Sequence, residues 1–204
     1  MSFNYSFTYS GQNSGSDYDY QARLLLDGEG AIKNNPYPAE WRNYIQTREA
    51  VYRRIDQENY TRIMRSEANW MLRSRYSSGL EIGIHVSPGD ICWMDFGQMF
   101  NREMGYQHFG LIIGMMDEKA VVVPVTSSET AHAKAENRNV RVQNVIFIGQ
   151  PVGLTKPSSV YINDIRTINT ARIMKIRAHI DVNSEVFVRI KDSVIDILNS
   201  STMS

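Results

Sequence analysis

Residues 87–128 read SPGDICWMDFGQMFNREMGYQHFGLIIGMMDEKAVVVPVTSS, and this stretch decides the fold. Three short apolar runs, 91–96, 108–116 and 120–126, are rich in β-branched and aromatic side chains, as strands of a small sheet should be. A long polar loop carrying Arg102 and Glu103 leads into the second run at His108. Asp117-Glu118-Lys119 is short enough to turn a hairpin, and the third run ends in Thr126, Ser127 and Ser128. A carboxylate, an imidazole and hydroxyls therefore collect at the ends of neighbouring strands. That is the grouping acid–base chemistry requires.

Working outward, LEIGIHV at 80–86 alternates and predicts a strand, followed by a Ser87-Pro88-Gly89-Asp90 turn. VRVQNVIFIG at 140–149 and SVYINDI at 159–165 predict two more, with a loop or short helix over 129–139. From Asn183 to Leu198 the spacing of Phe187, Ile190, Val194 and Ile197 predicts a terminal helix, capped by Asn183 or Ser184. Upstream, residues 39–76 hold no Gly or Pro and repeat apolar side chains at helical spacing, among them Trp41, Ile45, Ile63, Trp70 and Met71. This predicts a long basic helix, or a helical hairpin bent near Asn59, with supporting pairs such as Glu58 and Arg62. It either packs on the following domain or a second copy, or grips a nucleic-acid backbone. The acids interspersed among its arginines favour packing. Residues 1–38, polar and poor in core formers, read as a flexible arm, with Leu24, Leu25 and Leu26 as its one apolar patch. The domains expected are thus 1–38, 39–78 and 79–204.

Twenty-two basic and 22 acidic residues cancel, and 42% of the 204 residues are hydrophobic, which excludes a general nucleic-acid coat and fits a globular protein. No apolar run approaches the ~20 residues that span a bilayer, and no secretory leader opens the chain, so the cytoplasm is the expected location. Cys92, the single cysteine, lies within an apolar run and reads as a buried, inert thiol. His85, His132 and His179 are scattered with no ligand spacing, so neither a metal nor another cofactor is expected, and His132 reads as solvated. Residues 165–180 nevertheless carry Arg166, Arg172, Lys175 and Arg177 without an acid, a run that would neutralise phosphates. Arg166 has an equal alternative as partner to Asp164 or Asp95. Tyr106, Phe109 and Tyr161 are candidates to stack on unpaired bases, Tyr106 foremost because it lies in the loop.

In GDICWMDFG (89–97), Glu103, VVVPVTSS (121–128) and DIRTINTARI (164–173), residues 88–198 resemble the MazF/PemK toxins of toxin–antitoxin pairs. The resemblance implies a mainly β fold: a small, curved, barrel-like antiparallel sheet with a C-terminal helix, here preceded by the arm and the long helix. It implies a homodimer, an antitoxin partner, and metal-independent cleavage of single-stranded RNA by the RNA's own 2′-hydroxyl. The family's loop acid falls on Glu103, its strand-end Thr on Thr126, and its loop Arg on His108. Histidine does not reproduce the bidentate phosphate clamp of arginine, but it titrates near neutral pH. Glu103 and His108 can therefore run base-then-acid chemistry, with Arg102 supplying the cation and Ser127 beside Thr126 on the RNA. The alternative is a catalytically degenerate module that binds a protein or nucleic acid without cleaving it. Another branch of the family uses an Arg and an Asp where this chain has Tyr161 and Asn163. Asn163 keeps only a hydrogen-bonding role toward a base or phosphate.

Overall fold

The apolar runs of the quoted stretch become three consecutive antiparallel strands: β1 (Asp90–Asp95), β2 (Gln107–Met116) and β3 (Lys119–Thr126). The structure, a computed structural model, describes residues 38–136 and 144–199. The arm expected over 1–38 lies outside the described residues except for Pro38, and so do residues 140–143 of the strand expected at 140–149. That strand is observed as β4 (Val145–Gly149), and the next as β5 (Ser158–Tyr161). Two further strands, β6 (Arg166–Asn169) and β7 (Ile173–His179), occupy the segment read as a basic run.

The sheet is open and antiparallel, in the order β4-β5-β3-β2-β1-β7, with β6 also paired to β3. β3 is shared, pairing with β6 over Lys119–Val122 and with β5 over Val125–Thr126. Register shifts in β1, β2 and β4 bend and twist the ladder, as bulges do. One apolar cluster, around Ile91, Leu111, Val123, Ile146 and Val160, is closed by Phe187, Ile190 and Val194 of the terminal helix α4 (Glu185–Asn199). Ser184 caps α4, its hydroxyl accepting from Phe187 N at 3.4 Å. A second cluster, with Cys92, Met94, Phe96, Ile112 and Val122, is covered in part by Ile84 and Val86. Residues 80–86 are thus core cover, but not the expected strand: Gly79–Ile82 is a 3-10 turn. The turn seats against residue 170, where a Cβ on Gly79 would lie 2.9 Å from the Thr170 carbonyl oxygen.

The helical region is two helices, α1 (Pro38–Tyr52) and α2 (Gln57–Arg73), broken just ahead of Asn59. Asp56 restarts the helix by accepting from Asn59 N at 3.0 Å. The chain divides into compact units between Glu49 and Ala50 rather than at 78/79, so α2 belongs with the sheet. Only part of its expected apolar stripe docks it. Trp70 and Met71 are exposed, whereas Ile63, Ser66 and Asn69 are buried. A short helix, α3 (Glu129–Glu136), follows β3 and packs Ala131 and Ala135 on Val145 of β4. Among the described residues, no helix is long and apolar enough to cross a membrane.

Candidate active site

Strand register places His108 in a row of polar side chains. Met94 pairs with His108 across β1 and β2, and Phe109 pairs with Val125, which sets His108 opposite Thr126. Thr126 in turn pairs with Ser159 of β5, and Ser159 with Phe147 of β4. Directly opposed side chains of neighbouring strands stand ~5 Å apart on one face. The row therefore reads Met94, His108, Thr126, Ser159, Phe147 across five strands. At its far end His132 Nδ1 meets the buried Ser159 hydroxyl at 2.8 Å, and its ring stands edge-on to Phe147. His132 was expected to be solvated; α3 instead turns it back onto the sheet. Thr126 Oγ1 accepts from Ser128 N at 3.2 Å, which leaves the hydroxyl proton free to point elsewhere.

The His108 ring lies stacked 6.4 Å from Trp93 and beside the carbonyls of Phe109, at 3.5 Å, and Val125. Burial pushes its pKa below the ordinary histidine value, and the nearby Arg62 guanidinium of α2 adds to this against the two carbonyls. The ring is thus held neutral at pH 7, a proton acceptor rather than a cation.

The loop between β1 and β2 is closed at its base by Phe96 N to Tyr106 O (2.8 Å) and Tyr106 N to Gly97 O (2.7 Å). Arg102 (φ 72°) and Tyr106 (φ 56°) take left-handed backbone conformations that non-glycine residues seldom adopt. Arg102 and Glu103 are exposed on its outer turn, and Glu103 Oε2 accepts from Phe100 N at 3.1 Å. No hydrogen bond or ion pair among the described residues joins either of them to His108 or Thr126. Tyr106 is buried, so its ring is not offered to a base as expected. Asp164 pins the loop to the sheet, accepting from Met104 N at 2.5 Å and from Arg166 at 2.6 Å. Arg166 accordingly takes the structural alternative, and lies over the Phe96 ring. Arg172 donates to Asp95 O at 3.3 Å; Lys175, Asn163 and Ser127 are exposed.

Beneath the loop, Asp95 is buried at the end of β1, where its Oδ1 accepts from Ser66 Oγ of α2 (2.7 Å) and Gly97 N (2.8 Å). Asp95 Oδ2 and Asn69 Oδ1 are buried with no hydrogen-bond partner among the described residues. Burial raises the Asp95 pKa against the opposing pull of Ser66, Gly97, Arg172 and Asn69. Cys92 is buried and its thiol is pushed up to about 12 by desolvation, so it is inert. The described residues contain no cluster of three potential metal ligands.

The sequence profile of PemK-like, MazF-like toxins of type II toxin–antitoxin systems matches residues 87–198, more than half of the chain. The chain belongs to this toxin family. Solved structures similar to it include MazF (Form-I) from Deinococcus radiodurans, 15% identical, covering 56% of this chain and 97% of that one at a TM-score of 0.42. A structure of MazE–MazF (Form-II) from the same organism is 15% identical over 57% and 97% at 0.38. The Mycobacterium tuberculosis toxin MazF-mt6 is 12% identical over 52% and 89% at 0.31. No curated protein matches the chain.

The toxin domain, 87–198, holds the whole polar row but not α2. Of the residues singled out from sequence, the fold sets His108 opposite Thr126 and leaves Glu103 and Arg102 on the loop. Three others were not singled out as site residues: Ser159 within the row, His132 bonded to it, and Arg62 near His108. β5 is buried at Ser158, Ser159 and Val160 alike, so no alternation marks Ser159, whereas Ala131 and Ala135 around His132 are the small-residue spacing of a packed helix face. Arg62 is one of many arginines on α2, and nothing in the sequence sets it apart.

Proposed function

We propose that this toxin-family chain is a metal-independent endoribonuclease that cleaves single-stranded RNA, inhibits growth and is restrained by a protein antitoxin. The observation that carries this reading is His108, half-buried beside Trp93 and opposite the Thr126 hydroxyl at the ends of adjacent strands. In this reading His108 accepts the 2′-hydroxyl proton as that oxygen attacks phosphorus. The P–O5′ bond breaks, the leaving 5′-oxygen takes a proton from water while His108 gives its own back to solvent, and the products are a 2′,3′-cyclic phosphate and a free 5′-hydroxyl end. The Thr126 hydroxyl donates to a non-bridging phosphate oxygen, where charge builds up in the transition state. Glu103 and Arg102, on the outer turn of the loop, and the exposed Ser127, Asn163 and Lys175 contact the flanking RNA. A homodimer, as the family resemblance implies, is part of the proposal. So is the cytoplasm as its place of action.

The test is incubation of the purified full chain with single-stranded RNA in chelator. Cleavage with 2′,3′-cyclic phosphate ends, lowered ~10²–10⁴-fold by His108→Ala, is the expected result. A chain that binds RNA but cuts none under any condition overturns the nuclease reading in favour of a degenerate binding module.

A further inference from the structure

A phosphorane carries extra negative charge, and a site that forms one needs a fixed cation within reach of the phosphate. Among the described residues of the toxin domain, the arginines near the loop are turned to other tasks. Arg166 is paired to Asp164, Arg172 reaches back to the Asp95 carbonyl, and Arg102 sits on the outer turn of the loop. α2 runs past this end of the sheet.

The course of α2 over the sheet follows from three contacts. Arg73 donates to the carbonyls of Ala171 (3.1 Å) and Ile173 (2.7 Å) where β7 begins. Ser66 bonds Asp95 at the end of β1. The Arg65 carbonyl accepts from Gln107 Nε2 (3.3 Å) where β2 begins. Read from its C-terminus, the helix passes over β7, β1 and β2 in their order in the sheet. The next turn carries Arg62, four residues before Ser66 and so on the same helix face. Arg62, one turn of ~5.4 Å beyond the Ser66 contact and three residues beyond the Arg65 contact with β2, is therefore carried to the His108 end of β2. The depressing effect of Arg62 on His108 protonation agrees with this placement. Arg62 is at present paired with Glu58, but both side chains are more than half exposed, at 55% and 75%. Such an i, i+4 pair is weak and yields to a phosphate, which arginine binds through two parallel hydrogen bonds.

We propose that Arg62, from the helix preceding the toxin domain, is the phosphate-binding cation of this site and completes it in cis. The proposal rests on the ribonuclease reading for its catalytic part and on RNA binding alone for the rest. It makes α2 a working part of the site rather than a packing element.

The experiment uses full-length Arg62→Ala, Arg62→Lys and Glu58→Gln chains. It measures cleavage and binding of a short single-stranded RNA, the His108 titration by NMR, and thermal unfolding. Arg62→Ala is expected to lower kcat/KM by ~10²–10³-fold with an unchanged unfolding midpoint. Arg62→Lys restores part of the loss, and Glu58→Gln costs nothing. The His108 titration moves upward in Arg62→Ala, because a neighbouring cation has gone. Wild-type cleavage by Arg62→Ala overturns the inference and leaves the ribonuclease reading standing. If the unaltered chain cuts no RNA, the ribonuclease reading fails and binding decides. A salt slope lower by about one in Arg62→Ala upholds Arg62 as a phosphate ligand, and an unchanged slope and affinity overturn it.

Discussion

At the scale of single residues, the half-buried His108 and the buried Asp95 give opposite pH signatures. His108 has a lowered pKa, so between that value and about 6.5 the unfolded chain binds more protons. Its contribution to stability is present above 6.5 and is lost as pH falls through the folded value. In catalysis the neutral form is the base, so the acid limb of the kcat/KM profile should fall below 6.5 and move upward in Arg62→Ala. A profile with its acid limb above 6.5 would remove His108 from the role of base. Asp95 is the reverse case. Its raised pKa means the folded chain holds the proton longer, and stability falls as pH rises from the usual carboxylate value through the folded one. Asp95→Asn removes the buried ionisable group and keeps an oxygen to accept from Ser66 and Gly97. Urea midpoints should be equal or higher than wild type at pH 8, with that slope gone. Asp95→Ala strands the Ser66 hydroxyl and Gly97 N–H and should cost about 1–3 kcal/mol. Equal losses in the Asn and Ala variants would show that the buried charge itself is needed.

Among the elements, the loop between β1 and β2 depends on one carboxylate outside it. Asp164→Ala frees both Met104 N and Arg166, and nothing else among the described contacts ties the loop's tip to β6. The expected outcome is faster limited proteolysis within residues 97–106 and a several-fold rise in KM for RNA, with a smaller effect on kcat. A protease pattern identical to wild type would mean the base bonds at Phe96 and Tyr106 suffice. Elements that were legible in the sequence are those whose side chains face apolar surroundings. β1, β2 and β3 announce themselves as continuous apolar runs because the sheet is covered over them on both faces. β6 and β7 do not, since β7 is an edge strand whose Lys175, Ile176 and Arg177 are exposed. A one-sided strand with arginine outside looks like a basic loop. LEIGIHV alternates like a strand but spends its backbone on a 3-10 turn, because Gly79 is pressed against the Thr170 carbonyl, a contact 91 residues away in sequence. The same limit applies to the site. The apposition of His108 and Thr126 follows once the β2–β3 register is known, whereas His132 and Ser159 meet only after α3 and β5 are folded together.

Across the whole molecule, the toxin domain does not finish its own surface. α2 lies before residue 87, where the family match begins, yet it supplies the Ser66 partner of Asp95 and the Arg73 donor to two carbonyls. The connection from α2 contributes equally: Gly79 N donates to the buried Thr170 hydroxyl, and Asn169 donates to Ser77 O. Hydrogen bonds of this kind are worth about 1 kcal/mol each when intact, and buried groups left unpaired by their loss cost more. Truncation therefore separates two views of residues 39–78. If the helices were an appendage, residues 79–204 would unfold at the same urea concentration as the full chain. Because α2 closes the polar end of β1, a chain beginning at residue 50 should keep the full-length midpoint, whereas one beginning at residue 79 should lose several kcal/mol. The shorter fragment should also expose Asp95 to solvent, so its pH slope disappears together with its stability. Matching midpoints for the two fragments, read by urea titration at one pH, would show that α2 rests on the domain without supporting it.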